Sequence, residues 1–311
     1  SPLSRPAPLW KLKRCMLLLF LSANAALAFG NPPALDSLLN EWRNEKRTVE
    51  ERLFAFNEAY TAYYQQFPDT MLQELDELAR KALEWNHPMA LFEAWIRKGG
   101  LLNYQGKNEA ALVAYDRAEE VIRPIGDQMR LGSLANNRGN VYAQQADFAK
   151  AMAHFNEALE LHSAAGYQRG QWNARMALGN VFVLIETYEL GKVQYESVLA
   201  ELDWQPENAR FRGLLYMNLG YCEYKLEHFD RAGELYEQAL PLMQQSGSDF
   251  DLASCHQNMA ILRKDEERTE EALFHIHESY ALFQQLGAQS YEIECQLTLA
   301  QILRETDREQ A

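Results

Sequence analysis

Seven histidines, four cysteines and 44 carboxylates are the side chains of this chain that could do acid–base, nucleophilic or metal chemistry. Their spacing supports little of it. His275 and His277 form the one close histidine pair, and on a helix residues two apart point in different directions, a poor chelate. His154 with Glu157, and His162 with Glu160, have the residue types of acid–base pairs, but ordinary surface polarity explains both. The sequence has no H-E-x-x-H, no G-x-S-x-G, no C-x-x-C and no glycine-rich phosphate loop. Past residue 28 the cysteines are Cys222, Cys255 and Cys295, an odd number that leaves at least one thiol free. Cys255 and Cys295 are forty residues apart; a disulfide needs Cα atoms within about 7 Å, and stacked helix axes lie about 8–10 Å apart. Small buried packing residues are the better reading. Catalysis, a cofactor and a metal are therefore not expected within these residues.

The elements that would position any site come from a repeat. Leu134 to Leu161 reads as two amphipathic helices joined near Ala146-Asp147. Ala151, Phe155, Ala158 and Leu159 follow the i, i+4, i+7, i+8 spacing of one buried helix face. Gly139 and Ala151 are small enough to let the helices approach closely. A hairpin with two apolar sides cannot cover both alone and needs copies of itself. Gly99, Gly139, Gly179, Gly220, Ala260 and Ala300 recur at intervals of 40, 40, 41, 40 and 40 residues. Twelve residues after each of the first five comes Ala111, Ala151, Gly191, Ala232 or Ala272. Four further on comes Tyr115, Phe155, Tyr195, Tyr236 or Ile276, and three beyond that Ala118, Ala158, Val198, Ala239 or Ser279.

This order of small, bulky and small residues resembles the tetratricopeptide repeat (TPR) family over roughly residues 93–311. The resemblance implies an all-α fold, an α-solenoid wound as a right-handed TPR superhelix of stacked helix hairpins. The family's usual repeat is about 34 residues. The extra residues here are expected after the second helix, as in Leu159 to Gly166, where that helix can run on. Longer repeats of this kind are similar to those of bacterial sensor and regulator proteins, including the N-terminal regions of TPR-containing diguanylate cyclases and histidine kinases. The fifth repeat departs from the pattern: Ala260 replaces Gly, and Thr269 stands where Phe148, Tyr188 and Phe229 stand earlier.

Composition agrees with an all-α chain, with 47% hydrophobic residues and prolines at helix boundaries such as Pro68, Pro88, Pro124 and Pro206. Pro241 lies late in a second helix and is expected to kink or end it. The net charge is −14; residues 1–28 hold four basic and no acidic residues, so the remainder has 26 basic against 44 acidic, or −18. That argues against nucleic acid or an anionic membrane as partner and favours a basic or neutral one.

Lys11-Leu12-Lys13-Arg14, the apolar run from Cys15 to Leu21 and Ala26-Leu27-Ala28 together have the form of a signal peptide over residues 1–28. The run is short for a membrane span. Residues 29–90 are expected to form an N-terminal helical capping region. A helix opens at Leu35 with Asp36 as its cap, and a degenerate pair follows over Leu53–Gln66 and Met71–Glu84, broken at Pro68-Asp69. Residues 91–311 hold five TPR hairpins and the first helix of a sixth. Tyr291 to Thr306 spreads apolar residues around much of that helix, so a second helix is expected to follow it.

In TPR proteins the first helix of each repeat lines the concave face. The resemblance then places Asn103, Tyr104, Asn136, Asn137, Asn140, Asn173, Met176, Asn180, Met217, Asn218, Tyr221, Tyr224 and Asn258 along a groove, with Gln257 and Lys264. Side-chain amides offer both a donor and an acceptor, so a ladder of them can pair with the backbone of an extended peptide. Met and Tyr can receive its side chains. A carboxylate clamp is not expected, because its positions hold Ile96, Asn136, Met176, Met217 and Gln257 rather than cations. The functional expectation is a protein- or peptide-binding scaffold, the exported, periplasmic sensory input region of a Gram-negative signalling protein. A stand-alone periplasmic adaptor for envelope proteins is the alternative.

Overall fold

The structure, a computed structural model, describes residues 34–203 and 205–309, so the signal-peptide segment lies outside the described residues. Among them are fourteen α-helices: α1 Leu35–Arg43, α2 Val49–Tyr63, α3 Pro68–Glu84, α4 Pro88–Tyr104, α5 Asn108–Ile122, α6 Gln128–Gln144, α7 Phe148–Ala164, α8 Gln168–Leu184, α9 Tyr188–Glu201, α10 Ala209–Lys225, α11 Phe229–Ser246, α12 Asp249–Asp265, α13 Thr269–Gln285 and α14 Gln289–Glu309. Neighbouring helices pack as antiparallel hairpins, most closely α4 with α5, α6 with α7, α10 with α11 and α12 with α13, in the manner of an α-solenoid. The chain divides into two compact units, residues 1–177 and 178–311.

The period of forty has a simple origin. Helices α6, α7 and α8 are each 17 residues long, and three-residue turns join them. The second helix does run on, to Ala164, as the sequence implies. Asp127 and Asp147 cap α6 and α7 by accepting the backbone N–H of Arg130 and Lys150 at 3.0 and 3.2 Å.

The hairpins close where glycine meets a ring. A methyl group on Gly139 would lie 2.5 Å from the Phe155 ring, one on Gly179 2.6 Å from Tyr195, and one on Gly220 2.7 Å from Tyr236. Gly99 meets Tyr115 in the same way. All four rings are buried. In the fifth repeat the same two register positions hold Ala260 and Ile276, both buried, so a larger small residue accompanies a narrower partner.

At the N-terminal end, Ala59, Met71, Leu75 and Leu78 take the same register and are buried. Met71 and Leu78 stand where later repeats have small residues, and α2 and α3 touch at few points. Trp42 is buried edge-on against Phe56 and Trp85, its Nε1 donates to Glu74 at 2.9 Å, and Arg52 lies over the Trp42 and Trp85 rings.

Three expectations change. Asp36 does not cap α1; Ala34 holds the N-cap position and Asp36 lies in the first turn, where its charge suits the helix dipole. Pro68 begins α3 rather than only breaking the chain, its missing N–H being one the first turn leaves unused. Pro241 does not end α11, which continues to Ser246. Pro241 is exposed, so the carbonyl it orphans can reach water, while buried Tyr236, Ala239 and Met243 hold the helix in place.

In α14, Tyr291, Cys295 and Ile302 are buried, whereas Ile293, Leu297 and Leu303 are exposed. Their counterparts one repeat earlier, Ala253, Gln257 and Arg263, are buried.

The turns inside the hairpins pass through left-handed backbone. Gly106 does so in the first, but Ala146, Glu186, Glu227 and Glu267, with φ of 60–63°, follow at the same register. A side chain there costs roughly 1–2 kcal/mol, against roughly 0.4–1 kcal/mol for the extra freedom of glycine when unfolded. Ala146→Gly is therefore expected to raise stability by about 0.5–1 kcal/mol in urea denaturation.

Candidate functional site

The first helices α4, α6, α8, α10 and α12 carry the expected groove residues, and the structure sorts them into two groups. Asn103, Asn140, Asn180, Asn218, Met176 and Met217 are buried. Asn136, Asn137, Asn173, Tyr221, Tyr224, Asn258 and Lys264 are half-buried, and Tyr104 is exposed. Met176 and Met217 are 8% and 2% exposed, so they fill the helix packing rather than stand open to receive ligand side chains. Gln257 is closed off in the same way.

The buried asparagines join helix to helix. In the second unit Asn180 Oδ1 accepts the Tyr195 hydroxyl at 2.5 Å and the Asn218 amide at 3.1 Å. Both donors come from the register: Tyr195 is the hairpin ring, and Asn218 sits on the next first helix. One repeat earlier the same positions hold Phe155 and Ala177, neither of which can donate. Asn140 Oδ1 is accordingly buried with no hydrogen-bond partner among the described residues, as are Asn103 Oδ1 and Asn136 Oδ1. The amides of Asn137, Asn173 and Asn258 are half-buried and enter no hydrogen bond with another described residue.

In the second unit the tyrosines form a strip. Tyr188 and Tyr221 have ring centroids 6.5 Å apart, Tyr221 and Tyr224 6.4 Å, and Tyr224 and Phe229 5.9 Å. Lys225 Nζ lies 5.7 Å from the Tyr188 ring. The Tyr224 hydroxyl donates to Asp265 of α12, and burial together with that bond pushes its phenol above the usual range. Tyr188, Phe229 and Asp265 were not among the expected groove residues. Tyr188 and Phe229 could have been found, because they share the register position of Phe148.

One register position carries buried charge in the last repeats. Leu102, Tyr142 and Phe182 hold it first, then Glu223 and Arg263. Glu223 takes Lys192 at 2.9 Å and His228 at 2.8 Å. Burial raises its carboxyl, but the hydrogen bonds from His228 and Lys192 outweigh that and leave it below the usual range. Arg263 is held by Glu237 and Glu266, both at 2.7 Å, with Glu271 at 3.4 Å. These clusters pair their charges internally and hold no nucleophile.

Cys222, Cys255 and Cys295 are free and buried, and burial pushes the first two thiols up to about 12. His277 is exposed while His275 is buried, so that pair diverges as its spacing implies. His154 Nδ1 lies 3.1 Å from Glu157 in a partly exposed contact. Among the described residues no three His, Cys, Asp or Glu side chains are grouped to hold a metal ion. No helix among them is long and apolar enough to cross a membrane.

Fold and register define an α-solenoid repeat protein. Residues 91–164 and 211–285 match the family model of the tetratricopeptide repeat, and the chain carries tetratricopeptide repeats over both segments. No curated protein sequence matches it significantly. Solved structures share its fold. BtubC from P. vanneervenii is 18% identical, with a TM-score of 0.60, covering 70% of this chain and 92% of its own. A Rap protein complexed with Competence and Sporulation Factor is 12% identical, with a TM-score of 0.65 and coverage of 97% and 87%. NprR in complex with its cognate peptide NprX is 20% identical, with a TM-score of 0.59 and coverage of 89% and 84%.

Asn180→Ala leaves the buried Tyr195 hydroxyl and Asn218 amide without their acceptor, and is expected to cost about 1–3 kcal/mol of stability. Asn137→Ala, which breaks no bond, is expected to stay within about 0.5 kcal/mol. Urea denaturation of the two variants measures the difference.

Proposed function

We propose that this chain is a peptide- or protein-binding scaffold, working through amides on its first helices. The carrying observation is that Asn137 and Asn173 in the first unit, and Asn258 in the second, are half-buried with amides that no other described residue engages. Such groups can bond the backbone of an extended chain regardless of its sequence. The Tyr221–Tyr224 strip offers ring faces for side chains in the second unit. The excess of acidic residues favours a basic or neutral ligand. NprR and the Rap protein, which share this fold, are solved with peptide or factor bound, and that supports the same use of the scaffold here.

Within this reading we place the chain as the sensory input region of a bacterial signalling protein, with the ligand acting as its signal and no catalysis in these residues. The 40-residue repeats support that placement. The basic, apolar and A-x-A pattern of residues 1–28 supports export to the periplasm. A stand-alone periplasmic adaptor would use the same amides to hold an envelope protein.

A peptide selected on the chain from a random-sequence library tests the binding reading. Asn137→Ala with Asn173→Ala should weaken it by about 1–3 kcal/mol in total, with the circular dichroism spectrum unchanged. Failure to select any peptide, or unchanged affinity in calorimetry, would remove the amide ladder.

A further inference from the structure

The fifth repeat buries two imidazoles against each other. His256 of α12 and His275 of α13 are 5% and 8% exposed, and their Nδ1 atoms lie 2.9 Å apart. The ring centroids are 5.1 Å apart with a tilt of 38°, and Phe274 covers them edge-on. At that separation the two nitrogens share one proton: one Nδ1–H donates and the other Nδ1 accepts. Both rings are then neutral. A second proton would set donor against donor and bury a charge.

The surroundings do little to stabilise that charge. Burial is the largest influence on both rings; it holds His256 below the usual histidine range and His275 at about 4. On His275 the neighbouring His256 and Arg263 of α12 add to the effect and Glu271 of α13 opposes it; on His256 Glu278 of α13 opposes it. Glu271 is shared with Arg263, which also engages Glu237 of α11 and Glu266. Among the described residues no further charge from α11 or α14 acts on the pair.

The register marks the pair as particular to this repeat. The same two positions hold Trp95 and Ala114 in the first repeat, Ala135 and His154 in the second, and Tyr216 and Leu235 in the fourth. None of these sets two titratable rings face to face.

We propose that His256 and His275 form an acid-sensitive latch, holding α12 to α13 while the pair shares one proton and releasing the hairpin when it takes up a second. A histidine held below its unfolded value of 6.5 binds protons more readily in the open state. Its stabilisation is complete above that value and is lost as pH falls from about 6.5 towards 4.

Hydrogen exchange of the full chain, corrected for intrinsic rates, tests this at pH 7.5 and 5.0. A single group moving from 6.5 to about 4 gives an opening constant for α12 and α13 about thirtyfold larger at pH 5.0. His256→Tyr with His275→Leu copies the fourth repeat and should abolish that dependence. Equal protection of the hairpin at both pH values, or acid dependence persisting in the double variant, would overturn the latch. Should the double variant not fold, the ring-proton resonances of the two histidines in the natural chain decide. Neither should titrate near 6.5 in the folded state, and a ring that does so would equally overturn it.

Discussion

The close approach of a glycine to an aromatic ring inside the first four repeat hairpins is the constraint on which the rest of this structure depends. Gly99, Gly139, Gly179 and Gly220 leave room for Tyr115, Phe155, Tyr195 and Tyr236, and any added carbon would enter the ring's own space. The ring fixes how near the two helices lie. That distance sets which residues of one first helix can reach the next, and so whether Asn180 can bond both Tyr195 and Asn218. The polar register is thus a consequence of the apolar one. Where the ring loses its hydroxyl, at Phe155, the amide in front of it loses a partner.

Much of this was legible in the sequence because a repeat states its rule several times. The forty-residue period gave the helix pairs, the turns and the small-against-bulky contacts without any long-range inference. The fifth repeat shows what a residue-by-residue reading overlooks. Ala260 alone looks like decay, but with Ile276 at the register position of the ring it reads as a compensated exchange of sizes. Of the two outcomes that a proline in a helix interior allows, a kink or an end, the helix does not end at Pro241, a residue that faces water.

The site was less legible, and for a physical reason. An asparagine on a first helix can point to a ligand or bond the neighbouring helix, and both uses suit the same sequence position. Asn180 and Asn218 take the second use, whereas Asn137, Asn173 and Asn258 keep their amides unengaged. Only three-dimensional neighbours separate the two. The His256–His275 pair was hidden for a similar reason, since its members stand nineteen positions apart on either side of a turn. A buried polar group needs a partner, so one partner placed by each neighbouring repeat decides its role.

A double-mutant cycle at Gly139 and Phe155 tests the central contact most directly. Gly139→Ala should destabilise the chain by about 1–3 kcal/mol through overpacking against the ring. Phe155→Leu, which narrows the ring's place, should relieve that penalty, giving a coupling of at least about 1 kcal/mol between the two sites. Additive effects of the two substitutions, within about 0.5 kcal/mol, would contradict the account that ring and glycine set the hairpin together.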